Sequence, residues 1–174
     1  MPSDIFGDFY FDGDELAILV SETIRHLPLY KFNFKKNNQN GLWVSVSDSK
    51  GEKQSANKKG VYLIYEKKYN KVSCLYVGKS DGENCIHRRL YRWGAEILDI
   101  KKRYDQTHPA ASKARQDGIR SSRHLYVKYM TWEEIENIMP KVEKRYDRDI
   151  LDEKVAFVVK PKYNHKGLKY GSRN

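Results

Sequence analysis

Apolar residues along this chain fall into short periodic runs separated by polar stretches. In "DGDELAILVSETIRHLP", Leu16, Leu19, Val20, Thr23, Ile24 and Leu27 recur at helical spacing, acidic residues fill the first turn and Pro28 closes the run, which predicts an amphipathic helix. "GLWVSVS" alternates apolar and polar residues as a half-buried strand does, and the polar "DSKGEKQSANKKG" after it is a loop. Two more strands are expected near 60–66 and 72–77, joined by "KKYNK". A turn centred on Tyr69 sets Tyr62 directly opposite Tyr76 in an antiparallel pair, with both side chains on one face.

Beyond the hairpin, Ile86, Leu90, Trp93, Ile97, Ile100 and Tyr104 follow one another at intervals of three or four, a strong helix signal. The segment near 105–123, "DQTHPAASKARQDGIRSSR", is polar, basic and proline-containing, and reads as a surface insert ahead of a strand "HLYVKYM". Thr131 and Glu134 form a capping box for a short helix ending at Pro140. A second helix is expected from about Lys141 to Val159, with Pro161 as its stop, and the rest is a basic, extended tail. The order helix, strand, strand, strand, helix, strand, helix, helix predicts an α+β domain. Its centre is a small antiparallel or mixed β-sheet, a hairpin plus a further strand, flanked by helices.

Composition changes this picture little, and charge changes it more. The chain of 174 residues has a mean hydropathy of −0.82, and one core is enough for that length. No apolar run is long enough to span a membrane and no signal peptide is visible, so no membrane partner and a cytoplasmic location are expected. Cys74 and Cys85 lack metal or redox spacing and read as reduced thiols. The net charge is +10, yet no Lys or Arg precedes Arg25, whereas Asp4, Asp8, Asp12, Asp14, Glu15 and Glu22 do. The positive surplus therefore lies after the first helix, which points to an anionic partner, most often nucleic acid. A solvated basic surface is the bland alternative.

"GVY" at 60–62, "YVG" at 76–78, an arginine on the following helix and a late helix carboxylate before "KPKYN" together resemble the GIY-YIG nuclease superfamily. The resemblance covers residues 60–93 and 149–164. It implies a metal-dependent phosphodiesterase acting on double-stranded DNA, with Mg²⁺ at the site and Mn²⁺ able to substitute. Such hydrolysis requires an activated water, positive charge at the phosphorane and a stabilised leaving oxygen. Tyr62 is the candidate for orienting or deprotonating the water, with Tyr76 and Lys79 in support. A phenol of pKa near 10 is a poor base unless a cation favours its phenolate.

Helical phase selects among the arginines. Arg89 falls at the edge of the apolar stripe, at the family's arginine position, and is assigned to the scissile phosphate. Arg88 and Arg92 point further out and read as solvent or DNA-backbone contacts, and Trp93 lies on the stripe as a core residue. Since Trp93 stands where many members carry His or Tyr, Tyr91 or His87 is the candidate replacement. For the metal, counting back from Pro161 and Asn164 lands on Asp152 or Glu153. Glu153 is the family's residue type and is favoured, with Asp152 the alternative; Asn164 matches the family's terminal Asn and is expected to tie the tail to the active-site strand. Spacing of the cysteines and histidines excludes a zinc motif, and "KSDG" is no phosphate-binding loop.

Residues 1–58 are thus expected to form an extension for recognition or dimer contacts, 59–164 the catalytic domain and 165–174 a basic tail. A free-standing chain of this layout is similar to the type II restriction endonucleases of the superfamily, which implies a homodimer on short palindromes. "KFNFKKNNQN" and "SKARQDGIRSSR" offer readers of base edges. The rival expectations are a repair, phage or mobile-element nuclease of the same chemistry, and a nucleic-acid-binding module without cleavage.

Overall fold

A computed structural model describes residues 14–39, 41–54, 57–100, 108–139 and 147–164. Its elements, in chain order, are α1 (Asp14–Arg25), β1 (Tyr30–Lys36), β2 (Leu42–Ser47), β3 (Gly60–Lys68), β4 (Lys71–Ser80), α2 (Ile86–Ile97), α3 (Pro109–Gln116), β5 (Leu125–Thr131), α4 (Trp132–Ile138) and α5 (Arg148–Val159). The strands form one five-stranded sheet in the order β2-β1-β5-β3-β4 with every pairing antiparallel. The fold is α+β, as the pattern predicts.

β3 has hydrogen-bonded neighbours on both sides and helices over both faces, which is why "GVYLIY" is continuously apolar. Tyr62 and Ile64 belong to a core with Phe32, Phe34, Leu90 and Trp93, beneath α2 and α3. Val61 and Leu63 point the other way, into a core with Val20, Val77, Leu151 and Val155, beneath α1, α4 and α5. α2 presses close enough to β1 that a Cβ on Gly94 would lie 2.9 Å from the Phe34 ring. Lys128 Nζ donates to the carbonyls of Ile24 and Arg25, where a cation offsets the unpaired acceptors of a helix end.

Two elements depart from the expected order. β1 alternates Phe32 and Phe34 with Lys31, Asn33 and Lys35, a strand period in a segment that the sequence reading took only as a source of base-edge readers. It pairs with β5 at only Tyr30↔Val127 and Lys31↔Tyr126, and Lys31 Nζ reinforces the seam by donating to Leu125 O at 2.9 Å. α3 lies in the segment read as a surface insert: Pro109 at the first turn starts the helix instead of breaking it, and the buried side is only Ala110, Ala111 and Ala114. α2 stops at Ile97, with Asp99 left-handed at φ 55°, so Ile100 is not helical. Thr131 caps α4 as expected, its Oγ1 accepting from Glu134 N–H at 3.1 Å. Both cysteines are free. Tyr104, Pro140, residues 141–146 of the last expected helix and the tail 165–174 lie outside the described residues.

β4 would be an open edge, but residues 162–164 run along it. Lys162 N–H donates to Cys74 O at 3.1 Å and Tyr163 N–H to Leu75 O at 2.9 Å. Asn164 then meets the Val77 peptide twice, Oδ1 accepting from its N–H at 2.8 Å and Nδ2 donating to its carbonyl at 2.7 Å. The edge is thereby blunted. Asn164→Ala leaves both Val77 groups unmatched; urea denaturation is expected to show a loss of about 1–3 kcal/mol, and an unchanged midpoint would mean that the tail does not hold the edge.

Candidate active site

The β3–β4 hairpin turns through Tyr69 and Asn70, both left-handed at φ 48° and 64°. From Lys68↔Lys71 the register runs to Tyr65↔Cys74, a bulge then skips Leu75, and pairing resumes at Ile64↔Tyr76 and Tyr62↔Gly78. Tyr62 therefore faces Gly78, and the expectation that it faces Tyr76 is corrected. The turn falls between Tyr69 and Asn70 instead of on Tyr69, and the bulge adds one further residue of offset. The two tyrosines are diagonal neighbours on one face, with ring centroids 6.0 Å apart and planes tilted by 51°.

Gly78 makes that contact possible. A Cβ there would lie 2.6 Å from Tyr76 Cε1 and 2.7 Å from Tyr62 Cζ and Oη, well inside van der Waals contact. The glycine of "YVG" is therefore explained by close approach.

Around the two rings the structure gathers groups from three helices. Arg89, on α2, is half-buried, and its Nε is shielded from solvent with no hydrogen-bond partner among the described residues. The guanidinium acts on both phenols, and so does Asp152 of α5, which packs against β4 and α1. Burial pushes Tyr62 well above the ordinary phenol value; Tyr76 and Asp152 add to the rise and Arg89 opposes it. Tyr76 is raised to about 12, again chiefly by burial, then by Asp152, with Arg89 opposing. Both phenols are protonated at neutral pH.

Asp152 and Glu153 are both half-buried, but they flank the helix stripe differently. Asp152 neighbours Val155 and Ala156, three and four residues on and both buried, and its Oδ1 is a buried atom. Glu153 neighbours Ala156 and Phe157, the latter 47% exposed, and is not among the principal charges acting on either phenol. Asp152 is thus the carboxylate whose charge acts on the tyrosines, whereas the sequence reading favoured Glu153 as the family's residue type. A carboxylate beside two hydroxyls is an all-oxygen donor set, which fits a hard divalent cation that keeps its waters. Among the described residues no three His, Cys, Asp or Glu side chains gather into a larger cage.

Lys79 is opposite Val61, on the other face of β4 from Gly78, and pairs with Asp149 at 3.1 Å. His87 lines a different small pocket, with Gln54, Lys58 and Tyr129, and Tyr91 is half-buried against the core beneath α2. Arg88 is exposed, while Arg92 is half-buried and acts on Tyr76 and His108 instead of pointing only to solvent. Trp93 is fully buried, as its place on the stripe predicts.

His108 is the residue that sequence reasoning missed. Its ring sits edge-on to Tyr76 at 5.1 Å and to Trp93 at 6.2 Å. Nδ1 caps α3 by accepting from Ala111 N–H at 3.3 Å, so the neutral ring carries its proton on Nε2. Burial, then Arg92, then Arg89 lower its pKa to about 4. The available sign was "HPAA", a capping residue before an N1 proline, but its placement beside Tyr76 comes only from the packing of α3 on α2. Compared with protein-family models, curated proteins and solved structures, the chain gives no match.

Two outcomes follow from this packing. Gly78→Ala forces the two rings apart, and a thermal melt is expected to show a loss of about 1–3 kcal/mol, with 2-D NMR shifts concentrated at Tyr62 and Tyr76. His108 is neutral when folded but takes up a proton near pH 6.5 when unfolded, so stability is lost as pH falls from about 6.5 to about 4. His108→Gln is expected to flatten urea midpoints across that window; an equal slope in both proteins would exclude the histidine as its source.

Proposed function

We propose that this chain is a Mg²⁺-dependent DNA endonuclease of the GIY-YIG type, hydrolysing phosphodiester bonds in double-stranded DNA. The observation that carries the reading is the buried Nε of Arg89, which has no hydrogen-bond partner among the described residues, beside two phenols and a carboxylate. A shielded guanidinium donor without a partner is costly, and an anionic ligand is the natural way to satisfy it. The chain's +10 charge suits a polyanion.

In this reading Arg89 holds the scissile phosphate and gains interaction as charge builds on its oxygens. Tyr62, protonated and fixed against Tyr76, orients the attacking water through its hydroxyl. It is a poor base at its raised pKa, so its role is positional. His108 offers a second donor from Nε2, in the place that the sequence reading gave to Tyr91 or His87. Asp152 is the residue to hold Mg²⁺, or Mn²⁺ in its place, and the bound ion supplies Lewis-acid polarisation of the phosphate and a more acidic water. Asn164 supports the strand that carries Tyr76 and Gly78. The likeness to type II restriction enzymes extends the proposal to a cytoplasmic homodimer cutting at a short palindrome.

The test is incubation of purified protein with plasmid DNA, with and without Mg²⁺, and sequencing of new ends. Mg²⁺-dependent cutting at a recurring palindrome is the expected result. Tyr62→Phe and Arg89→Ala are each expected to lower turnover about 10²–10³-fold. Asp152→Asn is expected to abolish the Mg²⁺ response, which Glu153→Gln retains. Scattered or structure-linked nicks would favour a repair or mobile-element nuclease, and bound but intact DNA would leave a non-catalytic module.

A further inference from the structure

At the far end of the same hairpin the sequence makes two choices that oppose its own fold. A two-residue turn with both residues left-handed favours Asn-Gly, and here the first position is Tyr69 at φ 48°. A bulky side chain in this region is strained, and Tyr69 is 100% exposed, so no packing compensates. The adjoining pair is Lys68 directly opposite Lys71, like charges facing across the ladder. Only Lys68 is locally offset, by Glu66 at 3.0 Å; Lys71 has no ion pair among the described residues.

Tyr69, Lys68 and Lys71 line an open groove with Glu66, Ser73 and Lys162. Lys162 lies 3.9 Å from Asp117, so three lysines face two carboxylates. Lys68, six residues from Tyr62 on a regular strand, is on the same face of β3 as that tyrosine. Seven residues of strand separate Tyr62 from Tyr69, about 23 Å at the usual rise. One turn of duplex, about 34 Å, spans both places. Local strain without structural return is a mark of function, and an exposed phenol among ammonium groups suits a sugar-phosphate backbone.

We infer that the tip of the β3–β4 hairpin is a second contact for duplex DNA, where Tyr69 and the flanking lysines Lys68, Lys71 and Lys162 grip the backbone away from the cleavage site. This rests on the DNA-cutting reading above for its ligand, but not for its chemistry. The contact is sequence-independent and sets affinity, not the rate of the chemical step.

The decisive variant is Tyr69→Asn, because Asn tolerates the left-handed turn and relieves the strain. Its Tm is expected to rise while its affinity for a duplex of about two helical turns, measured with Ca²⁺ in place of Mg²⁺, falls roughly tenfold, the size of one good contact. kcat at saturating DNA is expected to be unchanged. Lys68→Gln with Lys71→Gln is expected to reduce the slope of log K against log salt by about two. Wild-type affinity in Tyr69→Asn, or an unchanged salt slope in the lysine variant, would overturn the inference. Cleavage by wild type with equal binding by Tyr69→Asn would sink the hairpin contact and leave the nuclease; tip-dependent binding without cleavage would do the reverse. No duplex binding by wild type would overturn both.

Discussion

The register between β3 and β4 is the constraint on which the site depends. A single skipped residue, Leu75, puts Gly78 opposite Tyr62 and leaves Tyr76 one diagonal away. Without the bulge, the register set by the turn would run on to place Tyr62 opposite Val77 and Tyr76 opposite Leu63, so that the two rings would leave the hairpin from opposite faces. With it, the missing side chain of Gly78 makes room for ring contact, and α2 can set Arg89 against the pair. The covering segment 162–164 guards this arrangement from outside, because Asn164 grips the peptide of Val77, the residue between Tyr76 and Gly78.

Burial governs the electrostatics that this packing creates. It holds both phenols protonated and His108 neutral, while the positive charges of Arg89 and Arg92 and the negative charge of Asp152, from α5, act on the phenols in opposite directions. One shielded guanidinium donor, Arg89 Nε, lacks a partner among the described residues. Fold stability alone favours satisfying such a donor, and local departures of this kind cluster where ligands bind.

The two faces of the sheet have separate tasks. Odd positions of β3 pack on α1, α4 and α5, and even positions point toward α2 and α3, where the tyrosines, Arg89 and His108 meet. Lys79 falls on the first set and is drawn into an ion pair with Asp149. A one-residue step along a strand thus decided whether a residue joined the site or the scaffold.

Local periodicity was enough to place α1, the hairpin strands, α2, β5 and α4, and to rank Arg89 above Arg88, because each of these depends on residues within a few positions of one another. Weak apolar signals hid β1, whose Phe32 and Phe34 sit among charges, and α3, whose buried side is only alanine. The action of Asp152's charge on the tyrosines, the entry of His108 and the diagonal placement of the two rings came only with tertiary structure. Each depends on how an element meets a distant one: α5 on β4, α3 on α2, a bulge against a turn. Sequence by itself determined which residue types the chain carries and the periods in which they recur; long-range packing decided which of them touch, since contacts between distant segments are set by core shape and strand register, which no local pattern encodes.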